Sequence, residues 1–98
     1  MTKQELVEKM NSVGAVLPGK TVKFDFGDQG QVFLDGKANQ VRDEDGVADT
    51  TIKVSWADFE QMNAGTLDAM TAFMSGKLKV EGDMSNAMQL QGVLAKLR

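Results

Sequence analysis

Residues 14–21, Gly-Ala-Val-Leu-Pro-Gly-Lys-Thr, satisfy the pattern GxxxxGK[ST], whose chemistry is the cradling of nucleotide phosphates by backbone amides and a lysine. That chemistry needs a strand before the loop and a helix after it, so that the helix N-terminus faces the phosphates. Here a helical pattern precedes Gly14 and an alternating strand pattern follows Thr21, which leaves nucleotide binding the weaker alternative. Val32, Phe33, Leu34 and Asp35 imitate an accompanying acidic strand, but Asp35 already belongs to an Asp-Gly turn. Asp43, Glu44, Asp45 and Asp49 invite a calcium reading. Counted from Asp43, however, the sixth position is Ala48 and the twelfth Val54, where a calcium loop requires Gly and Glu, so a solvated acidic turn is expected. Ser12, Ser55, Ser75 and Ser85 are the candidate hydroxyl nucleophiles, and the chain has no histidine to activate them. Without cysteine there is no thiolate or disulfide chemistry, and no carboxylate pair sits in an apolar run that would raise one pKa. The expectation is a non-catalytic protein with neither cofactor nor metal.

What remains is apolar chemistry. Met62, Met70, Met74, Met84 and Met88, five of the seven methionines, fall in the three expected C-terminal helices together with Trp56, Phe59 and Phe73. Methionine is flexible and polarisable, so a surface rich in it adapts to ligands of differing shape. Any one of these residues is ordinary core material; together they exceed what one sheet contact uses.

The elements that position them follow from periodicity. Thr2 with Glu5 forms a capping box, and Leu6, Val7, Met10 and Val13 follow at helical spacing up to Gly14. Past Pro18 the period drops to two: Val22, Phe24 and Phe26 alternate with Lys23 and Asp25, and Gly27 to Gly30 turns the chain. Residues 31–34 form a second strand, and Asp35-Gly36 signals a tight hairpin into a third, over about residues 37–42. The acidic segment 43–49 is longer than a hairpin needs, so the strand over 50–54 belongs elsewhere in the sheet. Ser55 caps a helix ending before Gly65, and a second short helix carries Leu67, Met70, Phe73 and Met74 to Gly76. Leu78 and Val80 then alternate with Lys77, Lys79 and Glu81. Asp83 caps a last helix bearing Met84, Ala87, Met88, Leu90, Val93, Leu94 and Leu97. Gly92 in that helix is unfavourable by about 1 kcal/mol relative to Ala, which points equally to a close approach or a mild kink.

Ninety-eight residues set one domain, 1–98, of α+β class in the order α-β-β-β-β-α-α-β-α: a five-stranded mixed or antiparallel sheet covered on one side by helices. A net charge of −3 argues against a nucleic-acid partner and against electrostatic capture by a membrane, leaving at most transient membrane contact. No apolar run has the length of a membrane span, and the start MTKQE is not a secretory signal; a cytoplasmic address is expected.

The segment from Gly76 to Gln91 reads GKLK, an apolar residue, any residue, Gly, Asp, Met, then AM, any residue, LQ. It resembles the C-terminal signature of the sterol carrier protein type 2 family of lipid-binding domains. The resemblance implies five strands with helices on one face and a tunnel for fatty acids, acyl-CoA esters, phospholipids or sterol-like molecules. It places Phe73, Met84, Met88 and Leu90 near the tunnel, and periodicity adds Phe59, Met62, Met70 and Leu94 as neighbours. Gln91 is the one candidate for a ligand's polar end. The expected partners are a lipid or acyl chain and a possible partner enzyme, with the chain a monomer or weak dimer. The alternative is an accessory interaction module with a closed core.

Overall fold

The computed structural model describes residues 2–97, without the side chains of Leu94 and Leu97. Helix α1 (Lys3–Val13) is followed by strands β1 (Thr21–Asp25), β2 (Gln31–Asp35), β3 (Gln40–Arg42) and β4 (Thr50–Val54). Helices α2 (Trp56–Ala64) and α3 (Ala69–Met74), strand β5 (Leu78–Gly82) and helix α4 (Met84–Leu94) complete the order. The strands form one sheet in the order β3-β2-β1-β4-β5, with β1 and β4 parallel and every other pair antiparallel. The α+β order and the mixed sheet expected from periodicity are therefore the observed ones. The parallel step from β3 to β4, which crosses β2 and β1, is the crossover that the long acidic segment required.

The alternation along each strand decides which face is covered. Val22, Phe24, Val32, Leu34, Ile52, Val54 and Leu78 are buried beneath the helices with Leu6, Met10, Phe59, Met62, Leu90 and Val93. On the opposite face Lys23 pairs with Asp45 at 2.8 Å and Lys53 with Glu81 at 3.3 Å. Phe33 is the apolar exception on that face; the Arg42 guanidinium lies 5.2 Å from its ring centre and the Gly46 backbone packs beside it.

Helix boundaries obey local chemistry. Thr2 and Glu5 form the reciprocal capping box, Ser55 accepts from the Asp58 amide, Asp68 from those of Met70 and Thr71, and Asp83 from that of Ser85. Each such cap is worth about 1 kcal/mol.

One turn departs from expectation. Asp35 and Gly36 do not form a two-residue hairpin; Asp35 pairs with Gln40, residues 36–39 make a four-residue loop, and β3 begins only at Gln40. The Asp35 carboxylate accepts from the amides of Lys37 and Ala38, and Asn39 supplies the left-handed residue (φ 54°). Gly36 has another reason to be glycine: a Cβ there would stand 1.7 Å from the Leu17 carbonyl oxygen.

Two polar arrangements had no sequence signal. Asn11 on α1 donates from Nδ2 to the Val41 carbonyl (2.9 Å) and accepts at Oδ1 from the Val41 amide (2.7 Å), so the helix grips the outer edge of β3. Asn86 on α4, fully buried, donates to Thr50 Oγ1, which itself donates to the Asp83 carbonyl. This chain ties α4 to β4 at its first turn.

Candidate functional site

The phosphate-loop match is structural. Gly14 closes α1 in the left-handed conformation, and most amides of the segment are spent within the fold. Ala15 donates to Met10 O, Val16 to Gly14 O, Gly19 to Gly36 O and Lys20 to Leu17 O, while Thr21 N donates to Asp49 Oδ2. Pro18 has no amide hydrogen. Ala15, Val16 and Leu17 are buried in the core. The segment therefore offers no cradle of free amides, and the nucleotide alternative is withdrawn.

The acidic segment is likewise occupied locally. Asp43 pairs with Lys3, Glu44 with Arg42 and Asp45 with Lys23, while the Asp49 carboxylate accepts from the Thr21 amide and the Asp49 amide donates to the Thr21 hydroxyl. Lys23 and the Gly46 amide hold the Asp45 carboxyl below the usual carboxylate range; the Thr21 amide does the same for Asp49. Among the described residues no group of three acidic, histidine or cysteine side chains is arranged to hold a metal ion.

The apolar surplus, by contrast, converges. Phe24, Ile52, Leu78 and Val80 from the sheet, Met62 from α2, Ala69, Met70 and Phe73 from α3, and Met84, Ala87, Met88, Leu90 and Gln91 from α4 line one half-open cavity of about 130 Å³. Two features of the sequence produce it. Helix α3 has six residues, of which only Ala72 is buried, so it covers the end of the sheet loosely. Helix α4 presents two faces: Asn86, Leu90 and Val93 pack against the sheet, and Met84, Ala87, Met88 and Gln91, at spacings of three and four, look along the cavity. The rim is exposed apolar surface: Met70, Phe73, Met84 and Met88 are 41 to 67% accessible, and Met74 beside them 79%.

Of the residues singled out from the sequence, Met62, Met70, Phe73, Met84, Met88 and Leu90 meet in this cavity. Phe59 does not. It is fully buried in an aromatic cluster with Phe24, Phe26 and Trp56, with ring centres 5.1 to 5.9 Å from its own, and so lies one layer behind the Phe24 wall. Periodicity identified Phe59 as buried but does not distinguish cavity wall from core. The Leu94 side chain lies outside the described residues. Ala69 and Ala87 were missed because a small side chain gives no sequence signal for lining a void. Gly92 has open space within 4 Å of where a Cβ would stand and does not line the cavity, so the close-approach explanation for it fails.

A twisted five-stranded sheet backed by helices on one face, opening at its C-terminal helices into an apolar cleft, defines an α+β domain of the sterol-carrier type. The chain belongs to the SCP-2 sterol transfer family, whose model matches residues 3–95. It is 36% identical over 76 residues to mouse (Mus musculus) stomatin-like protein 1, covering 74% of this chain and 19% of that protein. It is 38% identical over 58 residues to human (Homo sapiens) sterol carrier protein 2, covering 59% of this chain and 11% of that protein. The chain thus spans about a fifth or less of the length of these relatives. Among solved structures it is similar to sterol carrier protein 2 of Aedes aegypti in complex with palmitate, with a TM-score of 0.79 and 19% identity, over 96% of this chain and 94% of that one.

Proposed function

We propose that this chain binds a long apolar molecule in the cleft between its sheet and helices α3 and α4, and carries it without chemical change. The observation that carries this reading is the rim: a small domain leaves Met70, Phe73, Met84 and Met88 exposed around an apolar cavity instead of burying them. Contiguous exposed apolar surface is unfavourable in a monomer unless something covers it. Family membership and the palmitate held by the Aedes aegypti neighbour support a lipid as that cover. The ligand classes are fatty acids, acyl-CoA esters, phospholipids and sterol-like molecules, taken with low selectivity because one methylene changes affinity by only about 1–3 kcal/mol.

The cavity at about 130 Å³ is smaller than the roughly 300 Å³ or more of typical ligand pockets, so uptake must widen it. The rim methionines, with three rotatable bonds each, and the loosely held α3 are the parts able to move. That smallness also favours the second reading, an accessory module with a closed core whose exposed patch meets a protein partner such as an enzyme.

Native mass spectrometry of the purified chain, combined with titration of a fluorescent fatty acid, separates the two. A co-purified or titratable lipid supports the carrier, and an empty protein that ignores the probe sinks it. Ligand at about a hundredfold over its dissociation constant should add about 2.7 kcal/mol of stability, read as a raised unfolding midpoint.

A further inference from the structure

Strand β5 lies at the edge of the sheet and pairs only with β4. Such an edge holds a row of backbone amides and carbonyls toward solvent, open to a further strand. The charges along it are poorly matched within the chain. Lys79 stands directly opposite Lys53, and among the described residues no carboxylate pairs with it. Glu81, opposite Thr51, reaches across to Lys53 at 3.3 Å. Like charges facing each other across a strand pair are unfavourable, so a carboxylate on the open side of Lys79 would correct the mismatch.

The strand carries that carboxylate itself. Two copies of β5 related by a two-fold axis pair antiparallel, and only a register centred on a residue meets outward amides with outward carbonyls. Centring on Lys79 sets lysine against lysine at the axis, and centring on Glu81 sets glutamate against glutamate. Centring on Val80 sets Lys79 of each copy against the partner's Glu81, Val80 against Val80 and Leu78 against Gly82, with no like-charge pair. Leu78 and Val80 also line the apolar cavity, around which Met70, Phe73, Met84 and Met88 are exposed, so this register brings the apolar rims of two copies to one edge. We propose that β5 is a self-complementary interaction surface whose partner is a second copy of this chain, joined antiparallel about Val80 by two reciprocal pairs of Lys79 with Glu81. The proposal goes beyond the lipid-binding reading and does not depend on it.

Sedimentation velocity of the full chain over a wide range of concentration tests this, for the native protein, Lys79→Glu, Glu81→Lys and an equimolar mixture of the two variants. Both side chains are exposed, and circular dichroism checks the fold of each variant. The native chain should shift from monomer toward dimer as concentration rises. Each variant alone sets like charges opposite each other at two positions and should weaken association by about tenfold or more. In the mixture every facing pair is again of opposite charge, so association should return to within about threefold of the native affinity. If Glu81→Lys fails to fold for want of its pair with Lys53, Lys79→Glu alone reads the loss. A native chain that stays monomeric at every concentration would overturn the proposal and leave the edge to a strand of another protein. Variants that associate as well as the native chain, or a mixture of folded variants that stays monomeric, would also overturn it, because the contact would then lie elsewhere or in another register.

Discussion

At the scale of the residue, the glycines separate into those the fold needs and one it does not. Gly82 adopts φ 95°, and a Cβ there would stand 2.3 Å from the Asp49 carbonyl oxygen, at the point where β5 leaves the sheet for α4. Gly82→Ala should cost about 3 kcal/mol through backbone strain and displacement of β4, measured by urea denaturation. Gly92 is the reverse case: Gly92→Ala meets open space and gains helix propensity, so it should stabilise by about 0.5–1 kcal/mol in the same experiment. An unchanged or lowered midpoint would show that Gly92 serves something the free chain does not reveal. Phe59→Ala should cost about 3–5 kcal/mol because it empties a packed aromatic cluster. Met88→Ala should cost far less, since most of that side chain is already in water. Periodicity alone placed both residues on apolar faces; what it could not supply is the second helix or strand that covers one face and leaves the other uncovered.

At the scale of the element, α3 and α4 supply most of the cavity lining while the sheet and α1 carry the fold. Strand periods, caps and turn residues are local, which is why element order was legible from the chain. The grip of Asn11 on Val41 and of Asn86 on Thr50 joins residues 30 and 36 positions apart, and no local pattern announces either. The cavity was legible only as a surplus of methionine and phenylalanine, because its walls come from four separate stretches of chain. A footprint follows from that arrangement. Bound lipid should protect Met70, Met84 and Met88 from oxidation by peroxide, while Met74, outside the cavity, oxidises at an unchanged rate. Peptide mass spectrometry with and without lipid reads the difference; uniform oxidation would place the ligand elsewhere.

At the scale of the whole molecule, acid stability should reflect the carboxylates that bind backbone and lysine. Asp35, Asp49, Asp45 and Glu5 are held below their ordinary values, mainly by the amide of Ala38, the amide of Thr21, the ammonium of Lys23 and the amide of Thr2 respectively. Each carboxyl therefore binds its proton more weakly folded than unfolded. Their contribution is complete above the unfolded values near about 4 and is lost as pH falls through the lowered folded ones. Urea midpoints should be flat between pH 7 and 5 and decline below about pH 4, and Asp49→Asn should make that decline shallower. With no histidine in the chain, no step near neutrality is expected.

The hold of Asn11 on Val41 has a further consequence for how copies of this domain meet. Val41 is the middle residue of a three-residue edge strand, and the side chain takes both its outward amide and its outward carbonyl, standing in for the strand that would otherwise dock there. The other border of the sheet, β5, remains, guarded by Lys79 and Glu81 and adjoining the apolar cleft. A sheet with one usable border can pair once and then has nowhere left to grow, so backbone pairing between copies terminates at two and cannot run on into a fibre.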